Sequence, residues 1–267
     1  SVQRYLWRKT GGFLLTALLV SLATFFILQV LPGDPALLIL GTEGSPEAYA
    51  LLRRELHLDQ PLLQRYVQWL ADFVKGKWGN SWRYSLSVRE LVGQAFPLSF
   101  ALALLAVGVA VLAALPVGLL MAVRPHSPLS QLLSLGTQLG LGLPQFWVGI
   151  LLIQLFAVEL QLLPAGGREG WGSLLLPTVT LALPRMAILS RFLRAGLLES
   201  LGEDYVRTAQ AKGVPGPVVL FKHVLRNAAL APLTAAGVQF AQLLAGTIVV
   251  EQVFGLPGMG QLLLNGV

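Results

Sequence analysis

The sequence predicts an all-α, polytopic membrane helix bundle, and three observations carry that prediction. Of the 267 residues, 55% are hydrophobic and only 12% are charged, whereas soluble domains run near a quarter charged. Mean hydropathy is +0.69. Finally, residues 10–33, 91–123, 125–158 and 227–250 contain no Asp, Glu, Lys or Arg. Each of these runs exceeds the ~20 residues that carry a helix across about 30 Å of hydrocarbon, and a charge at the bilayer centre is costly. The same numbers exclude a disordered tail, a collagen-like fibre and an ordinary soluble enzyme. The chain has no Cys, which excludes a disulfide scaffold, a thiolate metal site and a Cys nucleophile.

Five spans follow, at about 10–31, 98–123, 130–157, 173–194 and 227–250. The fourth requires reading through Arg185, because the uncharged stretch Gly170–Pro184 is too short alone. Its extension through Met186–Ser190 makes it long enough. Arg4, Arg8 and Lys9 precede the first span and place the N-terminus in the cytoplasm. Arg124 after the second span agrees, as do Arg191, Arg194, Arg207, Lys212, Lys222 and Arg226 between the fourth and fifth. The outer loop 158–172 holds the single cation Arg168. Topology thus accounts for most of the net charge of +6, and no nucleic-acid partner is expected. The first apolar run is too long for a usual signal-peptide core and lacks a small-x-small cleavage site, so a retained anchor is expected.

Residues 32–97 read as a small extracytoplasmic helical cap. Pro32-Gly33 ends the first span. Ser45-Pro46-Glu47 supplies an N-cap, a Pro at the first helical position and an acid near the positive dipole end, starting a helix to about Leu56. Asp59-Gln60-Pro61 repeats the device. The helix after it places Leu62, Tyr66, Trp69 and Phe73 on one apolar face, suited to packing on the bundle or on an interface.

Residues 198–226 read as a cytoplasmic loop with a short helix of about three turns. Ser200-Leu201-Gly202-Glu203 matches a capping box, with Ser200 as N-cap and Glu203 at N3. Gly213 follows Lys212 where a left-handed C-terminal cap is wanted. A polar helix this short needs a surface to lie against. Without a Leu, Phe or Trp face, a protein partner suits it better than lipid. Val214-Pro215-Gly216-Pro217 breaks the chain, and Pro217 opens the helix that leads into the fifth span.

Several chemistries have no residues to support them. No G-x-x-x-x-G-K-[ST], G-x-S-x-G or H-E-x-x-H occurs. His57, His126 and His223 each lack a second ligand at metal spacing. No span contains paired carboxylates of the kind a proton-coupled carrier needs, and no TVGYG filter is present. Arg185 is the one ionisable residue in the middle of a span, Arg191 and Arg194 lying at the end of the fourth. Two readings stay open: it lies on a polar pathway, or it faces the bundle beside Pro184 and pairs with a freed backbone carbonyl.

The stretch GEDYVRTAQAKGVPGPVVLFKHVLRNAALAP resembles the cytoplasmic loop of ABC importer permeases of the peptide/nickel branch. The matching positions are Asp204, Tyr205, Val206, Arg207, Thr208, Ala209, Ala211, Lys212, Gly213, His223, Leu225, Arg226, Asn227 and Pro232. LPGDPA (31–36), LDQPL (58–62), WGNS (78–81) and EQVFGLPGMGQLL (251–263) resemble the same branch, so the likeness runs in order from residue 4 to the end. The wider superfamily motif has Glu-Ala-Ala where this chain has Arg207-Thr208-Ala209, so the role of that Glu does not transfer. Arg185 stands where the branch usually has a small or apolar residue.

The resemblance implies a type I importer permease in the bacterial inner membrane, with a sixth span expected beyond Val267. It implies a non-catalytic subunit with no cofactor of its own, ATP and Mg being bound by partners. Those partners would be a second homologous permease, two ABC ATPase subunits, an extracytoplasmic substrate-binding protein and membrane lipid. Glu203, Asp204, Tyr205, Arg207, Thr208, Ala209, Lys212 and Gly213 would form the ATPase-coupling segment. The branch imports di- and oligopeptides, glutathione and nickel or other metal chelates. A stand-alone channel or a membrane-embedded enzyme are the competing classes.

Overall fold

The computed structural model describes residues 2–30, 35–41, 45–81, 83–167 and 170–266. Pro32-Gly33, Arg168 and most of the LPGDPA stretch lie outside the described residues. The chain divides into two compact units, residues 1–89 and 90–267. Among the described residues three helices are long and apolar enough to cross a membrane, or five when each of two bent helix pairs counts as one span.

The first unit begins with α1 (Val2–Val30), which starts eight residues before the predicted span because nothing in its polar N-terminal turns breaks the helix. Then come α2 (Pro35–Leu40), α3 (Pro46–Glu55), α4 (Leu62–Val74) and a two-stranded antiparallel hairpin, β1 (Asn80–Ser81) with β2 (Leu86–Ser87). Ser45 caps α3 as predicted, accepting from the Ala48 amide at 3.2 Å. Asp59 does not repeat the device: Pro61 is the N-cap of α4 and no side chain caps it. The apolar face of α4 packs on α1. Tyr66 is buried, its hydroxyl 2.8 Å from Ser21 Oγ and donating to the Leu18 carbonyl at 3.3 Å. Its ring meets Phe25 edge-on, and Trp69, Phe73 and Trp78 continue a stacked row.

The second unit is built on α5 (Val88–Val123), whose first two residues lie before the unit boundary, and α8 (Leu175–Leu201), which a 3₁₀ turn at Trp171–Leu174 precedes. Ala103, Ala106, Ala110, Ala114, Gly118 and Ala122 form a buried small-residue stripe along α5, the device that lets helices approach closely in lipid. A Cβ at Gly118 would come within 3.0 Å of Leu193 Cβ and of the Ser190 carbonyl on α8. Three clusters stack along these helices, named outer, middle and inner after the topology expected from the sequence. The outer one joins Leu102, Leu176, Leu181, Leu243, Val250, Phe254 and Leu256. The middle one joins Ala110, Ala182, Leu189 and Ala236. The inner one joins Ala122, Leu193, Leu197, Val206, Val219, Val224 and Ala228.

The third and fifth spans are not the straight helices expected. α6 (Pro128–Gly142) and α7 (Gln145–Leu152, continued by a π-helix at Ile153–Glu159) meet at 108°. Leu143-Pro144 is the cause: Pro144 has no N–H to donate and disfavours helical geometry in Leu143, which is extended at ψ 131°. The fifth span is a chain of short pieces. α10 (Gly216–Val218), a π-turn (Val219–Val224) and α11 (Leu225–Ala228) form one limb, bent by 44° from α12 (Leu230–Gly246). Pro232 near the start of α12 lacks the N–H that would continue the ladder. Thr247 then separates α12 from α13 (Ile248–Val253), and α14 (Met259–Gly266) follows.

Candidate functional site

The predicted coupling residues gather on one short element, α9 (Asp204–Ala211). Its start differs from the expected capping box. Ser200 is still inside α8, which runs through Leu201 with Gly202 as its C-cap. Glu203 is the extended N-cap of α9 rather than its N3 residue, and no side chain caps the helix. Leu193, Leu197 and Ser200, buried at i, i+4 and i+7 on one face, carry α8 past the expected cap. Tertiary packing therefore overrides the local capping preference.

The end of α9 is as predicted. Gly213 has φ +76°, its amide bonds to the Gln210 carbonyl at 2.9 Å, and the Val214 amide reaches back to Ala209 at 3.1 Å. Those two bonds are the Schellman pattern, which needs a left-handed residue at this point.

One face of α9 is anchored and the other is open. Val206 is only 1% exposed within the inner cluster, where it meets the ends of α5 and α8, the π-turn 219–224 and α11, with Ala209 and Val214 packed beside it. Asp204, Tyr205, Arg207, Thr208, Lys212 and Gly213 are exposed, as is Glu203. Arg207 and Asp204 are 3.5 Å apart but well exposed, a pairing of small net worth. Thr208 Oγ1 donates to the Asp204 carbonyl at 2.8 Å. The sequence reading missed the anchoring stripe because it consists of Val206, Ala209 and Val214 alone, without a large residue.

Arg185 is not brought together with this segment. It sits in mid-α8, roughly 24 Å of helix from Leu201 at 1.5 Å per residue. Its Nη1 donates to the Leu181 carbonyl at 3.4 Å, and its Nε is buried without a partner among the described residues. The bond goes to Leu181, not to Thr180, whose carbonyl loses its normal donor at Pro184.

A polar centre that sequence reading passed over lies at the EQVFGLPGMG stretch. Glu251 is fully buried. Its Oε1 accepts from Ser99 Oγ at 2.5 Å and from Thr247 Oγ1 at 2.6 Å, and its Oε2 accepts from the Gln261 amide at 3.1 Å. Ser99 Oγ in turn accepts from the Met259 amide at 2.8 Å. One carboxylate thus joins α5, α13 and the start of α14. Gly258 lies against it so closely that a Cβ would overlap the carboxylate. Among the described residues no group of three or more His, Cys, Asp or Glu could hold a metal ion, and His57, His126 and His223 lie on separate elements.

Comparison with known proteins agrees with this architecture. Residues 114–267 match the family described as binding-protein-dependent transport system inner membrane component, and residues 2–103 match the N-terminal family of the same membrane components. The chain is 38% identical over 266 residues to the glutathione transport system permease protein GsiC of Escherichia coli strain K12, covering 98% of this chain and 86% of that one. It is 37% identical over 263 residues to the protein of the same name from Salmonella paratyphi A, with the same coverage. An amino acid ABC transporter crystallised with histidines shares the fold at a TM-score of 0.52 and 20% identity, over 64% of this chain and 75% of that one. An all-α bundle of apolar spans, a short capped helix between two of them and a family match over both parts of the chain lead to one conclusion: this protein belongs to the binding-protein-dependent inner membrane permeases of ABC importers, in their peptide/nickel branch.

Proposed function

We propose that this permease forms half of the translocation path of an importer for short peptides of the glutathione type, driven by ATP hydrolysed in separate subunits. The observation that carries the reading is α9. It is rigidly capped at Gly213, anchored by Val206 to the inner ends of α5, α8 and α11, and open on its polar face. A force on that face moves the spans as one body, whereas a loose loop would absorb it. Two ABC ATPases, a second homologous permease and a binding protein complete the machine. The N-terminus lies in the cytoplasm and residues 32–97 lie outside. Glu203, Asp204, Tyr205, Arg207, Thr208, Ala209, Lys212 and Gly213 dock the ATPase, and Arg185 belongs to the path. ATP-driven closure then shifts the bundle between outward- and inward-open states through its differential affinity for the two. The substrate class rests on the glutathione permeases at 37–38% identity.

The test is reconstitution of the permease pair with both ATPases and the binding protein in proteoliposomes. Uptake of labelled glutathione or a dipeptide, dependent on ATP and on the binding protein, is expected. Uptake that needs neither would overturn the reading in favour of a channel.

A further inference from the structure

The bent pair α6–α7 leaves main-chain groups bare at the depth where lipid cannot satisfy them. α6 has 15 residues, about 22 Å of helix, so it cannot cross about 30 Å of hydrocarbon alone. Its end lies beside the middle of α8, where a Cβ on Gly140 would sit 3.8 Å from Ala187 Cβ. Ala187 lies two residues after Arg185 and four before Arg191, within the fourth span read at 173–194.

At this depth the ladder stops. The Leu143 amide bonds back to Leu139, and the Trp147 and Val148 amides share the Pro144 carbonyl. The carbonyls of Gly140, Leu141, Gly142 and Leu143, and the amides of Gln145 and Phe146, have no hydrogen-bond partner among the described residues. Leu141, Gly142, Leu143, Pro144 and Phe146 are exposed, and Gly140 and Gly142 have no side chain to cover their carbonyls. In hydrocarbon each such group costs several kcal/mol, and non-helical backbone persists at membrane depth only inside protein or against water.

We propose that the 140–146 break lines the water-filled substrate path. Its bare carbonyls outnumber its bare amides, so it presents mainly acceptors, and it takes the ammonium and amide N–H groups of a short peptide as they pass. This rests on the importer reading above, but it concerns a segment that nothing in that reading uses.

The chain has no Cys, which permits a direct test in the complete transporter in native membranes. Leu141→Cys and Leu143→Cys are compared with Leu132→Cys and Leu135→Cys, two exposed positions on the regular part of α6. Each is reacted with a small charged methanethiosulfonate, with and without vanadate-trapped nucleotide. Co-purification of the ATPases verifies assembly of each variant. The break positions should react at least tenfold faster than the α6 controls in one nucleotide state, and saturating glutathione or dipeptide should slow them. Slow reaction in both states, or control rates equal to those at the break, overturns the proposal. Fast reaction that no peptide slows supports the aqueous lining and refutes the peptide class, so the two failures are distinguishable.

Discussion

Glu251 is the residue whose removal the structure prices most clearly. In Glu251→Ala the hydroxyls of Ser99 and Thr247 and the amide of Gln261 lose their acceptor together. A buried donor left unsatisfied costs about 1–3 kcal/mol, and three left in one network cost several kcal/mol together, less than their sum, because neighbours in one network do not add. Glu251→Gln keeps the volume and one acceptor. With its oxygen at the Oε1 position both hydroxyl bonds survive, but its NH₂ then faces the Gln261 amide, donor against donor. That loses one bond and leaves a donor unpaired, about 1–3 kcal/mol. With the amide flipped, two hydroxyls lose their acceptor instead. The expected order of stability is therefore wild type, then Gln, then Ala. Thermal unfolding of the purified transporter in detergent, followed by fluorescence-detected size exclusion, reads this order. At about 2–4 °C per kcal/mol for a chain of this size, Ala should fall by on the order of 10 °C. Glu251→Ala unfolding within about 2 °C of wild type would refute the reasoning, since it would mean that Ser99, Thr247 and Gln261 find other partners at no cost.

Other outcomes follow from the coupling segment and the spans. Gly213→Val forces a β-branched residue to φ +76°, which costs more than the roughly 1–2 kcal/mol of an ordinary side chain; co-purification of the ATPases should drop, and wild-type yield would count against the cap. Val206→Ala removes two buried carbons, about 1.6 kcal/mol of transfer free energy plus a cavity term, and should lower ATP-driven uptake more than basal ATPase activity; an equal loss of both would contradict a lever role. With single cysteines at Gln64 and Gln210, an impermeant maleimide should label only position 64 in intact spheroplasts, and labelling at 210 would invert the topology. Arg185→Gln should reduce uptake at normal complex yield, with Arg185→Lys intermediate because Lys keeps the charge but loses the planar fork; a fall in folded yield in place of uptake would assign Arg185 to structure.

What could be read from the sequence divides along physical lines. The all-α class of apolar spans, the α3 cap at Ser45 and the Gly213 terminus all came through, because each depends on local chemistry or on composition over a long window. The presence of a short helix under the proposed coupling residues was likewise legible. Its start was not: Ser200 has good capping chemistry, but Leu197 and Leu193 are buried one and two turns earlier and pull the helix past it. The bends at Leu143-Pro144 and near Pro232 were equally hidden, since hydropathy averages across a break that leaves no charge behind. Pro144 signalled the first, but Pro97, Pro116 and Pro184 sit inside continuous helices, so a proline alone does not decide. Glu251 was visible as a letter in a motif. Its burial depends on Ser99, which lies 152 positions away, a pairing no local pattern reports.

The wide turn at Val219–Val224 has a consequence for how such chains change length over time. There the Leu225 amide reaches back five residues, to Leu220, so the turn holds one residue more than an α-helical turn would. Such a bulge is how a helix absorbs a single inserted residue while the helix on either side keeps its original facing. Val219 and Val224 both point into the inner cluster, and Phe221 between them is 59% exposed. Deleting Phe221 would let the turn relax to α geometry with α11 and the anchor of α9 unmoved. Homologues one codon shorter should therefore carry their gap at this turn, and the open face of α9 beside it should keep its place through the change.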